Sequence, residues 1–431
     1  MPVDHSPAVR RLRFAAAVLV VGLAAGAAGA ALALLLHTVQ HLAFGYDSGT
    51  FLAGVGAASP QRRLVCVTLA GVVAGLGWWL LHRYARPLVD IGQALRMESP
   101  RMPALTTTAH ATLQVVTIGL GSPLGREVAP RQLAAVLATG IVRRTGLSPA
   151  QSRTLVACAA GAGLAAVYDV PLGGVVFTLE VLLGTWALRS VVPAVLTAAV
   201  ATLVARLVVP DEPVYQLPDL PFSSSLLLWA FLAGPLVGAC AHGFSRLMSA
   251  ASARAPRGNA LLWTAPAAFL ALGLLAIPFP QLLGNGKGPA EVAFTGNPTL
   301  ALATVLLVLR TAVVALCLRA GAYGGLLTPS FANGALLGIV AGRLWELIWP
   351  GTLLASYAVV AAGAFLAVSQ RMPVTAIVLA LEFTGFQQEV VIPLLLAVAG
   401  ATATGALLRG GAVPATTPRA GPNGPSGQSG P

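Results

Sequence analysis

The chain has 431 residues, of which 56% are hydrophobic and only 9% charged, and its mean hydropathy is +0.81. An ordinary soluble protein carries about 25% charged residues, so a water-exposed surface for a chain this long is excluded and a polytopic membrane protein is predicted. The net charge of +12 does not point to nucleic acid, because the basic residues stand singly between apolar runs and build no clustered face for phosphates.

Taken in chain order, apolar runs long enough to cross about 30 Å of hydrocarbon lie at 14–36, 64–81, 191–209, 226–248, 261–283, 299–318 and 390–408. The first is too long for the apolar region of a signal peptide and is read as a retained span. Between these runs lie shorter apolar pieces broken by Gly and Pro, at 111–120, 132–142, 154–167, 172–183, 331–348, 354–368 and 374–381. Interrupted helices at membrane depth are tolerated only where their freed backbone groups face protein or a wet cavity, so the interruptions predict a pathway.

Arg10, Arg11 and Arg13 precede the first span, and His82, Arg83, Arg86, Arg96 and Arg101 follow the second, while residues 37–60 hold one Asp and no Lys or Arg. That asymmetry predicts a cytoplasmic N-terminus. The chain then divides into a cytoplasmic segment 1–13, a membrane domain 14–408 made of halves 14–209 and 226–408, and a Gly/Pro/Ser/Thr-rich disordered tail 409–431. Arg310, Arg319, Arg343 and Glu346 are read as anchors at span ends.

Cys66, Cys158, Cys240 and Cys317 each lie in an apolar segment without a CxxC, and the six histidines form no HExxH or Glu-x-x-His pair. No metal site or cofactor is predicted, and an intramembrane enzyme is not.

An internal duplication is visible. Gly161-Ala162-Gly163-Leu164-Ala165, Pro171, Val176, Leu179 and Glu180 recur 202 residues later as Gly363-Ala364-Phe365-Leu366-Ala367, Pro373, Val378, Leu381 and Glu382, with eight of twenty positions identical. A second pair has nearly the same offset: Gly121-Ser-Pro-Leu-Gly125 answers Gly321-Ala-Tyr-Gly-Gly325, each feeding a short apolar helix. Paired half-helix starts of this kind build binding sites near the midplane of repeat-based transporters.

In the first loop, Arg126 and Glu127 interrupt an apolar stretch. An ionisable residue at that depth costs at least about 2.5 kcal/mol and marks a functional site by default. The alternative, a pair that only neutralises itself, is disfavoured because sequence neighbours on a helix point in different directions. The second loop, Gly321 to Ser330, presents free N–H groups at a helix start and is suited to anions without any side chain.

At these residues the chain resembles the CLC family of chloride channels and chloride/proton antiporters. Gly125-Arg126-Glu127 is similar to the family's GREGP, with Gln132 where the family also has Gln, and residues 321–334 are similar to its G-[GK]-x-[FA]-P loop and following helix. Residues 167–180 resemble F-N-A-P-L-A-G-x-x-F-x-x-E, and residues 375–382 its T-x-x-x-x-x-x-E segment. The resemblance runs from about residue 10 to 410.

It implies an all-α fold of two inverted halves with broken helices, assembled as a homodimer in a prokaryotic plasma membrane, each subunit passing chloride or another small halide. It also implies that Glu127 is the gate, its carboxylate competing with the anion. The backbone at Gly125, Arg126 and Val128 would line the outer anion site, and that at Gly325, Leu326, Leu327 and Thr328 the central one.

Several positions depart from the family. Val128-Ala129-Pro130 replaces Gly-Pro-Thr. Arg86 stands near the family's anion-binding Ser, either as a cationic substitute or as an ordinary flanking residue. No tyrosine follows Tyr357, so the family's C-terminal Tyr has no counterpart and central coordination is expected from backbone alone. Val181 stands where antiporters have their internal proton glutamate, which favours a channel-like or weakly proton-coupled pathway. Glu180 and Glu382 remain as buried acids and are read as partners of helix ends rather than proton carriers. A fluoride/proton antiporter of a divergent CLC branch and a non-transporting structural subunit are the alternative readings.

Overall fold

The structure, a computed structural model, describes residues 7–208 and 214–410, and the tail expectation falls outside these from residue 411 onward. The described residues form helices and the loops that join them, with no β-strand. The first half contains α1 (Pro7–Phe44), α2 (Phe51–Ala57), α3 (Pro60–Tyr84), α4 (Ile91–Arg96), α5 (Ala104–Gly119), α6 (Val128–Thr145), α7 (Pro149–Tyr168), α8 (Pro171–Phe177) and α9 (Leu188–Ala205). The second contains α10 (Ser224–Ala253), α11 (Leu261–Leu275), α12 (Lys287–Thr295), α13 (Leu300–Arg319), α14 (Leu327–Trp345), α15 (Leu354–Ser369), α16 (Pro373–Phe383) and α17 (Val391–Leu408).

Helices α1, α3, α9, α10, α11, α13 and α17 supply the stretches long and apolar enough to cross a membrane. They coincide with the seven runs read from the sequence. The interrupted pieces became α5 to α8 and α14 to α16. Three short helices, α2, α4 and α12, were not foreseen. Helix α1 starts at Pro7, so residues 7–13 are continuous with the first span.

Lipid cannot drive helices together by hydrophobicity, so close packing of small residues does. On α1, Gly22 and Gly26 sit against Val200 and Ala201 of α9 so tightly that an added Cβ would overlap them. On α10, Gly234 and Gly238 do the same against Ala397 and Ala401 of α17. The large residues face outward instead: Leu19, Leu23 and Leu34 of α1 are about half exposed, as lipid contact requires.

The two halves use the same helix partners: α1 with α7 and α9 in the first, α10 with α15 and α17 in the second. Their irregular points coincide as well. Asp169 and Arg371 have φ of 55° and 57°, and Gly184 and Phe386 have φ of 61° and 53°, each pair 202 residues apart. Contacts across the pseudo-two-fold axis are reciprocal. The Glu180 carboxylate accepts the Val374 and Thr375 N–H groups at the start of α16, at 3.0 and 2.7 Å. The Glu382 carboxylate accepts the Leu172 and Gly173 N–H groups at the start of α8, at 2.9 and 2.6 Å. Each acid thus sits on the positive end of the other half's helix.

Candidate functional site

The two glycine loops meet at the centre. Gly125 N–H donates to the Gly325 carbonyl and Gly325 N–H to the Gly125 carbonyl, both at 2.7 Å, an isolated antiparallel bridge on the same axis. Helices α6 and α14 start immediately after it, so two sets of free N–H groups face one small space.

Glu127 fills that space. It is fully buried, and its Oε1 accepts the Leu327 N–H at 2.7 Å. Oε2 accepts the Tyr168 hydroxyl at 3.3 Å and faces the Thr328 hydroxyl at 3.5 Å. A Cβ on Gly125 or Gly325 would collide with this carboxylate, which explains the glycine at both positions.

Arg126 does not pair with Glu127. Its guanidinium lies over the Tyr168 ring, 4.8 Å from the centroid, and donates to the Val167 carbonyl at 3.2 Å. The self-neutralised pair is therefore not what the structure contains. Val128 opens α6, and Gln132 one turn on accepts from Gln114, which also bonds His110.

Two side chains at this site were not singled out from the sequence. Tyr168 occupies the place of the family's Phe in F-N-A-P, and its hydroxyl is the only letter-level signal. Thr328 was read for its backbone alone. At the carboxylate, hydroxyls of these two side chains stand beside the backbone donor.

A correction concerns Arg310. It is not a span-end anchor: it lies midway along α13, with no exposed surface. Its guanidinium donates to the carbonyls of Leu282 and Gly284 at 2.8 and 2.9 Å and of Pro123 at 2.8 Å. It ties both irregular loops behind the bridge to one rigid helix, and these carbonyls are what make its burial tolerable.

A cavity of about 580 Å3 is lined by Tyr168 and Arg126. Lys287, the chain's one lysine, and His37 and His41 also line it, together with Glu291. Arg86 is exposed in the loop between α3 and α4, and no hydrogen bond or ion pair joins it to either glycine loop among the described residues.

Inverted halves, broken helices and a carboxylate set between paired half-helix starts define an integral, multi-pass membrane protein of the transporter and channel type. Residues 66–406 match the voltage gated chloride channel family, Voltage_CLC. The chain belongs to that family. It is 32% identical over 387 residues to the "Voltage-gated ClC-type chloride channel ClcB" of Escherichia coli O9:H4 (strain HS), covering 86% of this chain and 90% of that one. The ClcB of Shigella boydii serotype 18 (strain CDC 3083-94 / BS512) matches to the same extent. Among solved structures, a slow cyanobacterial Cl-/H+ antiporter superposes with a TM-score of 0.80 at 22% identity, over 93% of this chain and 95% of the other. A CLC-type fluoride/proton antiporter does so with a TM-score of 0.72 at 20% identity, over 90% and 94%. The fold is that of CLC transporters.

Proposed function

We propose that the chain passes chloride, or another small halide, across the plasma membrane of a prokaryote as a homodimer with a cytoplasmic N-terminus, and that Glu127 gates the pathway. The observation that carries this is the Glu127 carboxylate seated on the Leu327 N–H between the two bridged glycine loops. An anion in that place meets the same donors, so carboxylate and halide exclude each other. The names of the ClcB relatives support chloride as the anion. Val181 in place of a second acid after Glu180 supports a channel-like or weakly proton-coupled mode.

The cavity above the gate is lined by Arg126 and Lys287 and would raise the local anion concentration. The Tyr168 hydroxyl holds the carboxylate when the gate is closed and is free to bind the anion when it is open. The backbone at Gly125, Arg126, Val128, Gly325 and Leu326 frames the space, and Glu180 and Glu382 fix the half-helices around it. Loss of both the family's Ser and its C-terminal Tyr supports fluoride/proton antiport as the second reading.

The test is efflux from liposomes loaded with chloride or fluoride, with external pH recorded alongside. Chloride efflux without stoichiometric proton movement is expected. Fluoride efflux with proton movement would replace this reading by the second, and flux of neither anion would defeat both.

Tyr168→Phe tests the hydroxyl separately. Loss of one hydrogen bond worth about 1 kcal/mol is about fivefold. Chloride efflux should rise about that much as the closed gate weakens. In a Glu127→Gln background the same change should instead raise the half-saturating chloride concentration about fivefold, because only the anion is left to bind the hydroxyl. No change in either background would remove Tyr168 from the site.

A further inference from the structure

A second cavity, of about 1020 Å3, lies away from the glycine loops at the end of the molecule where α1 begins. Among the described residues five arginines line it, Arg10, Arg11, Arg13, Arg153 and Arg189, and no aspartate or glutamate does. Among the described residues no ion pair or hydrogen bond engages any of the five guanidinium groups. Five like charges held in one cleft at a membrane boundary repel one another and favour a bound anion. The first turns of α7 and α9 also open into it, at Ser148 and Arg189, and each adds the partial positive charge of a helix start.

The cleft is not polar throughout. Phe14, Leu95, Leu147, Leu182 and Leu183 form an apolar part of its lining. A free inorganic anion makes no use of that part. A phospholipid uses both, its phosphate on the arginines and its acyl chains on the apolar side chains.

The second half of the chain offers no such feature. Leu182 and Leu183 belong to a π-helical turn, Thr178–Leu183, that prolongs α8, whereas the repeat-related α16 is α-helical to its end at Phe383. The corresponding helix ends of that half carry Glu346 and Glu389, and its Arg343 is paired with Glu346 at 3.4 Å. Shape and charge therefore depart from the repeat together.

We propose that this cleft binds the phosphodiester headgroup of an anionic phospholipid through Arg10 and Arg13 of α1, Arg153 of α7 and Arg189 of α9. The lipid would tie the start of α1 to the π-helical turn that carries Glu180.

The experiment uses the full chain in detergent and reads its melting temperature with dioctanoyl phosphatidylglycerol, dioctanoyl phosphatidylcholine or glycerol phosphate added. Near-saturating phosphatidylglycerol should raise the midpoint by about 5 °C, and the other two should not. R153Q/R189Q should lose at least half of that rise, and R10Q/R13Q, on α1, should do the same if the first variant proves unstable. R254Q/R257Q removes equal charge from the exposed loop between α10 and α11 and should keep the full rise. An equal rise with glycerol phosphate would replace the lipid by a free phosphate. An equal loss in R254Q/R257Q would show diffuse surface charge rather than a site, and either result overturns the proposal.

Discussion

Glu127→Gln should give a chloride pathway that stays open and hardly responds to external pH. In the proposed gating the carboxylate stands where the anion would bind, and it is held there by the Leu327 N–H at 2.7 Å and by the Tyr168 hydroxyl. The short bond from the Leu327 N–H to the charged carboxylate contributes about 1.5–3 kcal/mol and the longer one from Tyr168 about 1 kcal/mol, against half to a third of that for a neutral amide. Replacing the charge by a carboxamide therefore raises the vacancy of the site by about tenfold to a hundredfold. Efflux from liposomes should rise within that range and lose its dependence on external pH. A variant that keeps the wild-type pH response would show that another group is the gate.

The largest loss of stability is expected at Arg310→Met. The side chains have similar length, so packing is largely kept, but the Leu282, Gly284 and Pro123 carbonyls lose their donor in a dry interior. Each unsatisfied carbonyl costs about 1–3 kcal/mol, so a fall of at least about 3 kcal/mol is expected. It should appear as a lower melting midpoint of the purified protein. Arg310→Lys should fall between the two, because one ammonium cannot replace a fork that reaches three acceptors. If Arg310→Met melts as the wild type does, the guanidinium does not hold the loops.

What the sequence made legible follows from which signals are local. All seven long apolar helices, and the shorter pieces between them, are visible in hydropathy because a run of about twenty apolar residues has few alternatives to spanning lipid. The duplication was visible because Pro171 and Glu180 are rare letters inside an apolar stretch and recur at one offset. The short helices α2, α4 and α12 carry too few residues to leave a hydropathy trace.

Contacts between distant residues were not legible. Arg310 looks like any basic residue in an apolar run until the loops at 123 and 282–284 bring it their carbonyls. Tyr168 looks like a core aromatic until α7 ends beside α6 and delivers its hydroxyl to Glu127, 41 residues earlier. Resemblance to the family named Glu127, yet it pointed away from Tyr168, because the family has no hydroxyl at that place.

The exchange of carboxylates between Glu180 and Glu382 has a consequence for how the chain is made. When residues 1–209 have left the ribosome, Glu180 has no helix start to cap, and the N–H groups of Leu172 and Gly173 have no acceptor. Both deficits end only when residues 373–382 are synthesised. The first half must therefore wait in the bilayer partly unpaired, with water or lipid headgroups serving those groups, and insertion of the last helices completes both halves at once.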